Sequence, residues 1–213
     1  MHNLPWYIAR SSGLVAWVIL AASMVWGLSI SSRAAFGRRR DGTLRRPHPA
    51  WQLDLHRYLG GLATVLVVLH VLAAIADSYL HFTIAGVLVP FASAWRPAAV
   101  AWGVVGLYLL VAVEVSSLAK KHMPKSTWKA IHFASYPLFL VSTIHGVTAG
   151  TDARGWIVRL FVSATFAVIS GLTALRAQPP APKVLPGGPR SAEVDADAAT
   201  TIANLRRPAS LDA

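Results

Sequence analysis

The chain has 213 residues, 54% hydrophobic and only 14% charged, with a mean hydropathy of +0.49, which is too apolar for an ordinary soluble domain and indicates a membrane protein. Its formal charge of +11 is concentrated in Arg and Lys runs beside apolar spans, where membrane orientation accounts for it and nucleic acid is not needed as a partner. The absence of cysteine excludes disulfides, and it excludes thiolate or iron–sulfur ligation by this chain.

The N-terminus, MHNLPWYIAR, lacks the cluster of positive charge that opens a signal peptide, so the first apolar run reads as a retained helix. That span covers about 12–31 and leads into a loop holding Arg33, Arg38, Arg39, Arg40, Arg45 and Arg46. The second span, 52–77, reads QLDLHRYLGGLATVLVVLHVLAAIAD. The segment at 82–95 is interrupted by Gly86 and Pro90, which predicts an interfacial or partly re-entrant piece rather than a full crossing. The third span covers about 98–118 and ends at Lys120, Lys121, Lys125 and Lys129. The fourth covers about 128–148 and the fifth about 156–175. From Arg176 the chain is rich in Pro, Ala and Gly without apolar periodicity, which predicts disorder. The expected organisation is a membrane domain over 1–176 and a disordered cytoplasmic tail over 177–213.

Five spans put the termini on opposite sides. The basic loops share one side with the tail, so the positive-inside rule predicts a multi-pass protein of the plasma membrane, N-terminus outside and C-terminus cytoplasmic. Trp6, Trp95 and Trp156 would mark the outer interface, and Trp51 and Trp128 the inner one.

The second span carries His56 and His70 at membrane depth. An ionisable group there is costly and points to function. Fourteen residues apart, they lie roughly 21 Å apart along a helix and about 40° apart around it. The fourth span carries His132 and His145 and runs in the same direction. His56 therefore pairs in depth with His132, and His70 with His145. Two imidazoles facing each other across a helical bundle suit axial ligation of a haem iron. His56 and His132 would hold an inner iron, and His70 and His145 an outer one. Gly60, Gly61 and Gly146 would leave room for a macrocycle. Arg57 is the candidate propionate partner inside, and Arg154 or Arg159 outside. Thirteen residues on a straight helix leave His145 about 140° from the face of His132, so Pro137 is expected to kink the span and re-aim His145. The plainer reading of each histidine is a hydrogen-bonded packing residue. Zinc or copper is the competing metal use, and it needs ligands converging on one point.

HRYLGGLATVLVVLH in span two and WKAIHFASYPLFLVSTIH in span four resemble the ferric reductase-like transmembrane domain superfamily. It includes ferric reductases, NADPH oxidases and the haem-bearing membrane subunit of bacterial sulfoxide reductase systems. The resemblance covers roughly residues 10–175 and rests on the four histidines, Arg57, Gly60 and Trp128. It implies an all-α integral membrane bundle of five helices, or six if 82–95 crosses, with bis-histidine haem sites between spans two and four. It further implies a cytochrome b-type oxidoreductase component with two b-type haems. Electrons would pass from a cytoplasmic or quinol donor to an outer acceptor, either ferric iron or a partner redox protein. The tail has no G-x-G-x-x-G fingerprint, so a flavin or nicotinamide domain would belong to a separate flavoprotein. The alternative expectation is a non-catalytic haem-binding anchor or assembly subunit of a redox complex.

Among the remaining residues, Asp77, Tyr79, His81 and Asp152 read as end residues or as an acceptor site. Glu114 reads as an interfacial acid, a proton relay or a quinone ligand. The basic face suits anionic lipid or an acidic partner. His2, His48 and His122 read as solvated.

Overall fold

The computed structural model of the chain describes residues 4–31, 49–78, 80–151, 155–177 and 197–202. The chain divides into two units, Met1–Ala177 and Gln178–Ala213. In the second, residues 197–202 are helical and exposed; the rest of the tail lies outside the described residues. So do the arginine-rich loop, His2, His48, Tyr79, Asp152 and Arg154.

The first unit is built from α1 (Leu4–Ser31), α2 (Pro49–Ala76), α3 (Ile84–Leu88), α4 (Pro97–Leu118), α5 (Lys125–His132), α6 (Ser135–Ala149) and α7 (Trp156–Ala177). A 3₁₀ turn over Ala119–His122 extends α4. Among the described residues, five stretches are long and apolar enough to cross a membrane: Leu4–Ser31, Ala50–Ala76, Pro97–His122, Lys125–Ala149 and Trp156–Ala177. Large apolar side chains such as Val65, Leu72, Ile157 and Leu160 point outward. A helix that is apolar all round needs an apolar surrounding, which lipid supplies.

α1 packs along α2 and also touches α6 and α7, while α4 packs along α6. Small buried residues on α1, among them Ser12, Ala16 and Ser23, let the backbones approach closely, as membrane helix pairs require. The Ser12 hydroxyl bonds back to its own helix, to Ile8 O at 2.5 Å, while Ser23 Oγ faces α2. The apolar core joins α1, α6 and α7 through Ala21, Met24, Leu28, Phe139 and Ile169. Trp17 reinforces it: its ring stacks on Phe139 at 5.9 Å, and its Nε1–H donates to Thr143 Oγ1 at 2.9 Å. The backbone of α2 leans on α1 and that of α6 on α4. α2 and α6 therefore meet mainly through side chains.

The segment at 82–95 does not cross. α3 is five residues long, about 7.5 Å of helix. Thr83 Oγ1 caps it by accepting from Gly86 N–H at 3.0 Å, and Tyr108 Oη–H closes its far end by donating to Leu88 O at 2.6 Å. His81, Phe91 and Arg96 adopt positive φ of 49°, 68° and 42°, a region that disfavours side chains. They fold the connection back on itself before Pro97 opens α4.

The fourth span is interrupted one residue after His132. Phe133 and Ala134 form a turn between α5 and α6. Pro137 has no N–H to offer Phe133 O, and Tyr136 N–H donates to that carbonyl instead, at 3.1 Å. Ala134 N–H likewise reaches back only three residues, to Ile131 O at 2.9 Å. Three-residue turns wind tighter than an α-helix, adding about 20° per residue. The break and the overwinding together bring His145 round to α2.

Candidate functional site

Two pairs of imidazoles face each other across the first unit. The ring centroids of His56 and His132 are 6.0 Å apart with planes at 82°. Those of His70 and His145 are 6.2 Å apart with planes at 78°. The four predicted residues thus meet in the two predicted pairs. Two imidazoles bound through one nitrogen each on opposite sides of a single metal have centroids about 6.4 Å apart, from metal–nitrogen bonds of about 2.0 Å and about 1.2 Å to each ring centre. Both pairs lie within a few tenths of an ångström of that spacing. Among the described residues no group of three or more His, Asp or Glu side chains converges as a metal cluster. A tetrahedral zinc site needs four ligands converging on one point, whereas bis-imidazole ligation of a planar tetrapyrrole needs two per iron.

Hydrogen bonds to backbone carbonyls orient three of the rings. His70 Nδ1–H donates to Ala9 O at 2.6 Å and His145 Nδ1–H to Ala99 O at 2.8 Å. His56 Nδ1 lies 3.1 Å from Ser23 O and 3.2 Å from Ser23 Oγ. A carbonyl oxygen only accepts, so in each ring Nδ1 carries the proton and Nε2 keeps its lone pair. His132 differs: its Nδ1 is buried with no partner, and its ring stacks on Trp128 at 5.0 Å.

The same three rings rest on glycines. A Cβ on Gly13 would meet His70 Nδ1 at 2.8 Å, one on Gly27 would meet His56 Cε1 at 3.0 Å, and one on Gly103 would meet His145 at 2.8 Å. In each case the glycine follows the accepting carbonyl by four residues: Ala9 and Gly13, Ser23 and Gly27, Ala99 and Gly103. A helical carbonyl already accepts from the N–H four residues on. Glycine there bares the carbonyl for a second donor. These notches were missed by sequence reasoning because glycine is common in membrane helices. One signal was present: Gly13 and Gly27 are fourteen residues apart, as are His56 and His70.

The remaining predicted site residues lie elsewhere. Arg57 Nη1 is 3.6 Å from Asp54 Oδ1, and both side chains are exposed, 65% and 72%. A pair this exposed contributes little, and Arg57 is committed to the surface. Gly60 makes room for an acid rather than a ring: a Cβ there would meet Glu114 Oε1 at 2.8 Å. Gly61 and Gly146 face open space. Arg159 is exposed on α7. Asp77 is only 4% exposed; its Oδ2 accepts from Leu80 N–H at 3.1 Å, while Oδ1 has no partner. Arg96 Nη1–H donates to Thr148 O at 2.9 Å, tying the start of α4 to the end of α6 beside the His70/His145 pair.

Compared with known proteins, the chain matches no family model, no curated sequence and no solved structure.

Proposed function

We propose that this chain is the membrane part of an electron-transfer system and holds two b-type haems, one at His56/His132 and one at His70/His145. The observation that carries this reading is the ring geometry: centroids at 6.0 Å and 6.2 Å, with Nδ1 of three rings turned to backbone carbonyls. Bound haem would supply a one-electron iron couple at each level. The protein's own part is to fix ring orientation through the carbonyl–glycine notches and to keep water from the interval between levels, where Trp17, Phe139, Phe161 and Phe166 pack. The levels are roughly 21 Å apart along α2, so electrons would cross most of the bilayer within one chain.

The family reading is part of the same proposal: a ferric reductase-like membrane domain in the plasma membrane, N-terminus outside and C-terminus cytoplasmic. Its donor would be a separate flavoprotein or a quinol. Its acceptor would be ferric iron or a partner redox protein at the His70 end. The supports are the motifs in spans two and four and the distribution of basic residues.

The test is a reduced-minus-oxidised spectrum of the purified full chain in detergent, with haem counted per chain. Two low-spin b haems, one lost with each histidine pair, are expected. A protein that purifies folded without haem overturns the proposal. Haem that no quinol or flavoprotein reduces favours the non-catalytic anchor.

A further inference from the structure

We infer that the two levels are electronically unequal, and that the His56/His132 site holds an electron more tightly than the His70/His145 site. This inference rests on the haem reading above and goes beyond it.

The asymmetry starts with one missing notch. At the His70/His145 level both rings donate from Nδ1 to a bared carbonyl, Ala9 O at 2.6 Å and Ala99 O at 2.8 Å. Such a bond pushes electron density onto the imidazole, makes it a stronger donor and favours oxidised iron. At the other level His56 has this support and His132 has none.

The reason is legible in α4. Gly103 and Ala99 form the notch for His145. Fourteen residues on, the step that relates the two notches of α1, the matching positions are Ser117 and Val113. Ser117 is not glycine, so this position lacks the bare backbone found at Gly13, Gly27 and Gly103. The fourth notch is missing its glycine. His132 stacks on Trp128 instead.

Charge acts in the same direction. Lys120 Nζ sits 4.1 Å from the centre of the Trp128 ring, which in turn stacks on His132. A cation near the iron favours the reduced form. Lys121, Lys125 and Lys129 lie at the same end. The opposing acids there are Glu114, against Gly60 one turn from His56, and Asp54, which is paired with Arg57. Four lysines stand against these two acids, whereas at the His70/His145 end Arg96 stands against the buried Asp77.

The experiment is a redox titration of the full chain in detergent, read optically, on four proteins: native, His132→Ala, His145→Ala and the double variant Ser116→Ala/Ser117→Gly. Two resolved midpoints are expected in the native protein. His145→Ala should keep the higher one and His132→Ala the lower. The serine variant keeps all four histidines and gives α4 the glycine that the other three notches have, so it should lower the higher midpoint and leave the other in place. A single native midpoint, the reversed assignment, or a higher midpoint unmoved by the serine variant each overturns the inference. None of these touches the proposed function, which fails if the native protein carries no haem or carries haem that no quinol or flavoprotein reduces.

Discussion

The His70/His145 level and the His56/His132 level share ring spacing but not construction. The first is held from both sides, with a carbonyl behind each Nδ1 and a glycine under each ring. The second is held from one side, by Ser23 and Gly27 on α1. Its other half hangs from α5, a helix of eight residues that ends at His132 itself. A metal ligand is defined as much by what stands behind it as by the atom it offers. The first pair is thus held on both rings by hydrogen bonds, and in the second His132 is held mainly by stacking on Trp128.

The largest break in this comparison comes from deleting a ligand. Replacing His70 or His145 by Ala should reduce haem from about two per chain to about one, by pyridine haemochrome assay. The surviving absorbance should belong to the other level. Next is the glycine support. Gly103→Val places a branched side chain where even a Cβ would lie 2.8 Å from His145. Overpacking of this kind costs about 1–3 kcal/mol, so haem affinity at that level should fall roughly tenfold to a hundredfold. Gly61→Val, with nothing within 4 Å of its Cβ position, is the matched control and should bind as the native protein does. Equal losses in the two would refute the notch.

A smaller effect is expected from Pro137→Ala. Restoring the N–H lets the fourth span run straighter and should turn His145 away from His70. Haem titration should show several-fold weaker binding at that level and unchanged binding at the other. The smallest effect is on the mid-span packing. Trp17→Phe removes the 2.9 Å bond to Thr143, a loss of about 1 kcal/mol. Thermal unfolding in detergent should show a Tm lower by about 2–4 °C, with both haem levels retained.

Much of this arrangement could be read from the chain alone. Apolar length marks the spans, and depth marks the histidine pairs, because both follow from simple periodicity along one helix. What escaped depends on contacts between helices. Gly60 looked like room for a macrocycle because it lies one turn from His56, yet it admits Glu114 from α4. Arg57 looked like a propionate partner, and its side chain is exposed beside Asp54. The glycines that support the rings lie on α1 and α4, which bear none of the four paired histidines. Pro137 pointed to an irregularity in the fourth span. The break itself falls at Phe133 and Ala134, where the carbonyl deprived of its partner is located.

The two notches on α1 and the two histidines on α2 share one spacing, fourteen residues, on helices that run in opposite directions. Two teeth and two sockets cut at the same interval can mesh in only one alignment. Sliding α1 along α2 by a single residue, about 1.5 Å, unseats His56 and His70 together. The hairpin therefore keeps the two levels in mechanical step. A disturbance that loosens one seat reaches the other through the rigid length of helix between them.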